Sequence, residues 1–477
     1  MTFYDEVVHS ERGEFMGDGI PRTAGGIPYN PLAGHRQFAD DEFWNSRASL
    51  QEIKENALAT YVSPYVVLAG VLARVGVATP PHIVLPKIIG GGYGSLNFGV
   101  VTLGEPGSGK DAAFDTACEL VPDVREAAIC GAATGQSISA LFGRREGDEG
   151  KRRTVCNNPR AILRYSEASN FRSLSSSKES NLKPVLLSLF SGQQIGEYTK
   201  NQELAIIIPA HAYRAIPFFS AQPSMMSLFE AGVHEGFQQR FLYVSAYDER
   251  LATLDPAAAP VRPVPGVFPY DTAALPSDWS KETMDCLYQC GGYGKTDDAT
   301  EPLAMNFPDI VRREAVAERI RANQERDVDP RLAHGTYMRM KLAALLCLLE
   351  YPRRQSLEVN EKDWELAGFL QRESRRCYEE NLEKYNKLKR QRRADGKEED
   401  ELAREEVDKR GQQDAERRII EILRSSMSPS GMSRRELFQQ LSKRQRNYLD
   451  DALGNLVASG RIKTGKGRQG GDWYMLN

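Results

Sequence analysis

The residues whose types and spacing point most directly to chemistry are Gly104-Glu105-Pro106-Gly107-Ser108-Gly109-Lys110. They fit the phosphate-binding pattern G-x-x-x-x-G-K, which ordinarily closes with Ser or Thr. Glycines at these positions let backbone N–H groups turn inward and cradle phosphate oxygens. Lys110 has the reach for β and γ phosphates, and a helix opening at Asp111-Ala112 would aim its positive N-terminal end at them. The nucleotide-binding candidates are therefore Gly104, Glu105, Pro106, Gly107, Ser108, Gly109, Lys110, Asp111 and Ala112. The flanks suit the role: strand-like Phe98 to Leu103 before the loop, helix-compatible Asp111 to Leu120 after it. The plainer alternative is an ordinary Gly-rich strand-to-helix turn.

Hydrolysis of a bound triphosphate needs a magnesium ligand after the lysine, a second one at the end of a neighbouring strand, and a carboxylate that orients water. The usual hydroxyl after the lysine is replaced here by Asp111, and the strand Ala161 to Tyr165 ends in Ser166-Glu167 where Asp-Glu is common. Carboxylate and hydroxyl have exchanged places with the local charge unchanged. Asp111 and Ser166 are thus read as a swapped Mg2+ pair, with Glu167 orienting water. A site that binds nucleotide and hydrolyses it poorly is the alternative. Gln222, at the end of a later strand, is a candidate γ-phosphate sensor or else a water-facing strand end. Arg240 is read as an arginine finger for a neighbouring protomer or as half of an intrachain ion pair, with Lys200 and Arg214 as weaker candidates for the same task.

The elements that must hold these residues alternate in α/β fashion. Helix is expected from Ala48 to Val75 with a break near Ser63-Pro64, then the loop strand and its helix. A possible strand follows over Arg125 to Cys130, then a helix over Thr134 to Phe142 and a polar loop from Gly143 to Arg153. A strand over Arg160 to Tyr165, a helix over Leu182 to Phe190, and strands over His211 to Ala221 and Arg240 to Ala246 complete the core. Such alternation predicts a mainly parallel sheet with its site at the strand C-termini. The domain reading is an N-terminal arm (1–45), the α/β core (46–250), a helical subdomain with a Pro/Ala-rich connector (251–383), a charged linker (384–414) and a C-terminal domain (415–477).

That last segment carries its own pattern. Ala415 to Ser425 is amphipathic, Ser433-Arg434-Arg435-Glu436 is a capping box, and Ser442 caps a third helix. A basic, Gly-rich hairpin over Gly460 to Met475 follows, so three helices and a β wing compose a winged helix. Lys443, Arg444, Arg446 and Asn447 are the types that contact phosphates and base edges, and Lys463, Lys466 and Arg468 add phosphate contacts from the wing. Such domains also bind proteins, which is the alternative.

The 477 residues carry a net charge of −3, so any nucleic-acid surface is local. Seven scattered cysteines argue against a disulfide framework and for a reducing cytoplasm; Cys286 and Cys290 read as neighbours on a helix. No apolar stretch has the length to span a bilayer.

Val62 to Val75, Pro80 to Pro86, Tyr93 to Phe98 leading into the loop, and Gln239-Arg240-Phe241 together resemble P-loop ATPases with a RecA-like core encoded by phages, prophages and integrative plasmids of actinobacteria. The resemblance covers about residues 45 to 250 and the C-terminal winged helix. It implies a RecA-like P-loop core with ATP and Mg2+ as cofactors, and DNA as partner. It also implies a role as a helicase-like motor in replication of the mobile element, working as a homo-oligomeric ring. A nucleotide-switched initiator or regulator, and a defence or signalling ATPase, remain the rival classes. Asp111 and Ser166 depart from the usual motor pattern.

Overall fold

Gly99-Val100-Val101-Thr102-Leu103 is a short, mostly apolar run, as a strand covered on two faces must be. All five residues are buried in strand β1 (Gly99–Leu103). The computed structural model describes residues 38–124, 135–148, 152–168, 171, 181–196, 205–230, 235–255, 257–258, 261–276, 281–293, 301–324, 335–426, 431–466 and 472–477, without the side chains of 135–136, 281 and 392–408. Within it β1 belongs to a four-stranded sheet with β2 (Arg160–Tyr165), β3 (Arg214–Ala221) and β4 (Phe241–Ser245). The order is β2-β3-β1-β4 and every pairing is parallel. Tyr165 and Val101 both pair with Phe219, and Leu103 pairs with Ala221 and Ser245. All four C-terminal ends therefore lie along one sheet edge.

Alternate residues of a strand face opposite ways, and the sheet is coated on both faces. Val100, Ile162, Ile216, Phe218 and Val244 point into one core cluster. Helices α1 (Ala48–Ala59), α2 (Pro64–Ala78), α3 (Lys110–Leu120) and α5 (Gly335–Leu349) share that face. Val101, Leu163, Tyr165, Phe219 and Tyr243 point into a second cluster with α4 (Leu182–Ser191). Tyr165 stacks on Phe219 at a centroid distance of 4.5 Å. The fold is thus mixed α/β around a parallel sheet. The helical segment expected as a separate subdomain instead completes the same core, since Leu345, Trp364 and Leu370 sit in the cluster that holds Val100.

Two buried arginines fasten the layers. Arg74 on α2 donates to the carbonyls of Val121 (2.6 Å) and Pro122 (3.1 Å), tying down the end of α3. Arg214, fully buried at the start of β3, donates to the carbonyls of Pro80 (2.9 Å) and Ile83 (2.8 Å). Buried charge is tolerable only when such acceptors satisfy it. Arg214 is therefore a structural tie, which removes it as a candidate arginine finger.

The polar loop expected from Gly143 to Arg153 is in part an antiparallel strand pair, Gly143–Glu146 with Arg153–Cys156. Each strand is only four residues long, and the first is mostly polar and solvent-facing beyond Gly143, so neither registers as a strand in sequence. The possible strand at Arg125 to Cys130 lies outside the described residues.

The chain divides into two compact units, one reaching Tyr385 and one beginning at Asn386. Helix α6 (Glu361–Ser425) contributes to both, and the segment expected as a charged linker is part of it. In the second unit, α7 (Arg434–Gln440), α8 (Lys443–Arg446) and α9 (Leu449–Ala458) join the end of α6 around Ile419, Leu437, Leu453 and Leu456. Strands β5 (Met432–Ser433), β6 (Ile462–Lys466) and β7 (Asp472–Leu476) form an antiparallel sheet in the order β6-β7-β5. Ser433 and Glu436 make the expected capping box, and Ser442 makes a second one with Gln445. The third helix expected as one run is two, interrupted at Asn447-Tyr448, where the Tyr448 ring lies against Gly411.

His211 is half-buried in the first unit with left-handed backbone (φ 57°). Burial, with the Arg214 charge second, lowers its pKa from 6.5 to about 4. Between those values the unfolded chain binds more protons than the folded one, so stability is full above pH 6.5 and falls as pH drops toward 4. Asn adopts the same left-handed conformation. His211→Asn is expected to flatten the acid-side fall in melting temperature over this range, and parallel curves for parent and variant would refute the assignment.

Candidate functional site

The loop between β1 and α3 is shaped by its glycines. Gly107 and Gly109 have φ of 79° and 77°, where a Cβ is strongly disfavoured. A Cβ on Gly104 would stand 2.4 Å from Ser108 Oγ and 2.7 Å from Ala246 Cβ, so the loop closes tightly only without one. Gly109 is the N-cap of α3 and offers no side-chain acceptor. The first-turn N–H groups of an α-helix have no intrahelical partners, so those at Lys110, Asp111 and Ala112 open onto a loop whose Glu105, Pro106 and Gly107 are exposed.

Lys110 Nζ donates to the carbonyls of Gly104 (2.7 Å) and Glu105 (2.9 Å) and to Ser108 Oγ (3.2 Å). The ammonium sits at the mouth of the loop among oxygens that fix its position. Partial burial lowers its pKa, against the opposing charges of Asp111 and Glu105. Its charge, and with it any hold on phosphate, begins to fail at a pH below the ordinary lysine range.

The other candidates assemble along the same sheet edge. Ser166 and Glu167 are exposed directly after β2. Gln222 is exposed directly after β3, the strand between β1 and β2, and lies 3.5 Å from Ser224 Oγ. Two inter-strand steps place Ser166 and Glu167 about 10 Å across the sheet from the end of β1. Helix α3 bridges that gap. Arg164, two residues before Ser166, puts Nη2 3.1 Å from Asp111 Oδ1 and its guanidinium 4.3 Å over the Phe114 ring of α3. Asp111 is thereby brought to the strand that ends in Ser166-Glu167.

Arg164 is the site residue that sequence reasoning missed. Its charge was visible in a strand that also begins with Arg160, but nothing local names Asp111 as its partner. Arg240 stands elsewhere. It immediately precedes β4, whose first residue pairs with Gly99, so it lies on the opposite edge of the sheet, at least about 13 Å from the loop of its own chain. Its partly buried guanidinium donates to the Gly236 carbonyl, and burial lowers its pKa. Lys200 lies outside the described residues.

Magnesium prefers oxygen ligands and keeps several waters, taking few from protein. The exposed carboxylate of Asp111 and the exposed hydroxyl of Ser166 suit that demand. Among the described residues, no cluster of three or more His, Cys, Asp or Glu side chains offers a metal cage.

In the second unit, Lys443, Arg444 and Asn447 are exposed around α8, and Lys463 and Lys466 are exposed on β6. Arg446 is engaged otherwise: it donates to the carbonyls of Phe438 (2.9 Å) and Gln439 (3.4 Å) at the end of α7 and covers the Phe438 ring. Helix α9 opens with Asp450-Asp451, and Asp450 pairs with Arg434 at 2.7 Å. Exposed cations of the second unit thus include those of α8 and β6, with Arg435 on α7 and Arg461 just before β6 also exposed, while Arg468 lies outside the described residues. Among the described residues no helix is long and apolar enough to cross a membrane. No protein-family model matches this chain, and no curated protein matches it either.

Proposed function

We propose that the chain is an ATP-dependent DNA-binding motor, a P-loop ATPase with a C-terminal winged helix, of the helicase-like kind that serves replication of mobile elements. One observation carries the reading. Lys110, Gln222 and Ser166-Glu167 emerge from β1, β3 and β2 at one sheet edge, facing a helix N-terminus without a side-chain cap. In an open parallel sheet that edge is where ligands bind.

Within the reading, the loop N–H groups and Lys110 hold the β and γ phosphates. Asp111 and Ser166 are the side chains for Mg2+, which supplies charge neutralisation when bound. Glu167 orients the attacking water from the end of β2. Gln222, between the two sides, senses whether the γ-phosphate is present. The order of elements in the second unit supports a winged helix, with α8 as the leading end of the recognition helix and β6-β7 as the wing. Ring assembly follows from the motor reading and rests on no contact within this chain.

One feature favours a second reading, a nucleotide-switched regulator with slow turnover. Arg164 occupies the carboxylate assigned to the metal. The magnitude decides how much that matters. The two side chains are 26% and 64% exposed, and an exposed ion pair contributes about 0–1 kcal/mol. Opening the pair therefore costs little, and the motor reading stands.

Three outcomes are expected. ATP turnover by Asp111→Ala and by Glu167→Ala should fall at least about 100-fold, as loss of a positioned acid or base group does; parental rates in both would refute the roles. Arg164→Gln should lower the half-saturating Mg2+ concentration by up to about 5-fold, the equivalent of that ion pair. A rise in that concentration would mean that Arg164 supports metal binding and does not compete with Mg2+ for Asp111. Lys443→Ala and Lys463→Ala should each weaken duplex binding and reduce the slope of log affinity against log salt by about 1. DNA binding that ignores salt would point to a protein partner instead.

A further inference from the structure

We infer that Tyr61 and Tyr247 form a stacking site for the base of the bound nucleotide; this rests on the nucleotide reading above. Both are among the few exposed large hydrophobic residues described, at 54% and 68%. They come from distant parts of the sequence, and the residues beside them join at one flank of the phosphate loop. Ser63 Oγ donates to the Ser245 carbonyl at 2.7 Å, and Tyr247 N donates to Ser245 Oγ at 3.1 Å. Val62, next to Tyr61, lies 3.5 Å from where a Cβ on Gly109 would stand, and Ala246, next to Tyr247, backs Gly104.

The local backbone at Tyr61 shows that the ring is there at a cost. Helix α1 ends in a Schellman arrangement, in which Val62 N donates to the Ala57 carbonyl (3.0 Å) and Tyr61 N to the Leu58 carbonyl (3.1 Å). The residue after the C-cap in that motif is left-handed and is usually Gly. Tyr61 holds it with φ 57°. A bulky residue in this region is an outlier of the kind that concentrates at ligand sites. The ring is mostly in water, so core packing does not account for it.

The direction of the ligand fits. Glu167 and Ser166 lie on the β2 side of the loop, so the γ end of a triphosphate points there. The other end then runs toward β4, the strand on the opposite flank of β1, and Tyr247 directly follows β4 by two residues. Two tyrosines there offer faces to a planar base, an interaction indifferent to which base it is.

The test compares ATP with inorganic tripolyphosphate, which has the phosphates and no base, by calorimetry in the presence of Mg2+. Tyr61→Gly restores the residue the turn favours, so its melting temperature should be equal to or above the parent's. Tyr61→Gly and Tyr247→Ala are each expected to weaken ATP about 10-fold, a typical loss for one stacked ring, and to leave tripolyphosphate affinity unchanged. Tyr61→Phe should bind ATP as the parent does. Equal ATP affinity in parent and both variants, or parallel loss of ATP and tripolyphosphate, overturns the stacking site. A parent protein that binds neither ligand overturns the nucleotide reading itself, a distinguishable result.

Discussion

A helix that begins on a left-handed glycine cannot cap its own first turn, and the site depends on this constraint. At Gly109 the chain forgoes the side-chain oxygen that Ser433 and Ser442 supply to α7 and α8. Such a cap is worth about 1 kcal/mol. Helices α1, α2, α4 and α9 likewise begin without a side-chain cap, so what sets α3 apart is the glycine loop in front of it. The missing cap leaves N–H groups for an anion, and it is tolerated because α3 is secured elsewhere. Ala113, Phe114 and Ala117 are buried in the core, and Arg74 holds the carbonyls just beyond the helix end. The helix behind the open loop is anchored by these contacts and not by a cap.

The two edges of the sheet treat positive charge in opposite ways. At the N-terminal edge Arg214 and Lys341 are buried against backbone carbonyls, Lys341 donating to the Phe190 carbonyl at 2.7 Å and also to that of Asn97. No carboxylate appears among these partners, and burial lowers the pKa of both. Those cations are fully used and serve to fasten α2, α4 and α5 to the strands. At the C-terminal edge Lys110 and Arg164 are only partly buried, each close to an exposed carboxylate and within reach of solvent. A ligand can exchange with contacts of the second kind at small cost, and not with the first. Location of charge along the strands, more than its amount, separates structure from function here.

Much of this was legible from sequence where a local rule governs. The strand-loop-helix around Lys110, the strands over Arg160–Tyr165 and ending at Ala221, the break before Pro64, and the capping box at Ser433 all follow from residues within a few positions of one another. What was not legible depends on partners distant in the chain. Arg164 was missed because its role is defined by Asp111, which sits 53 positions away. Arg214 read as a candidate catalytic cation because its acceptors, the carbonyls of Pro80 and Ile83, carry no side-chain signature. The helical segment beyond residue 280 read as separate because nothing local says that Leu345 packs against the face that holds Val100. Tyr61 was passed over since its significance lies in a backbone angle.

The second unit shows how one apparent basic cluster divides on folding. Lys443, Arg444 and Arg446 are equivalent in a charge count, but Arg446 turns back to the carbonyl end of α7, where a cation also interacts favourably with the helix dipole. Its guanidinium over the Phe438 ring adds a cation–π contact. Just downstream, Asp450 and Asp451 open α9 in the position an acidic residue favours on any helix, and Arg434 screens the first of them. A phosphate backbone laid along α9 would meet those carboxylates, whereas one laid across α8 and β6 meets Lys443, Arg444, Lys463 and Lys466. If this unit holds DNA, the folded charge pattern dictates the approach: leading turn and hairpin toward the phosphates, with the body of α9 kept for packing through Leu449, Leu453 and Leu456.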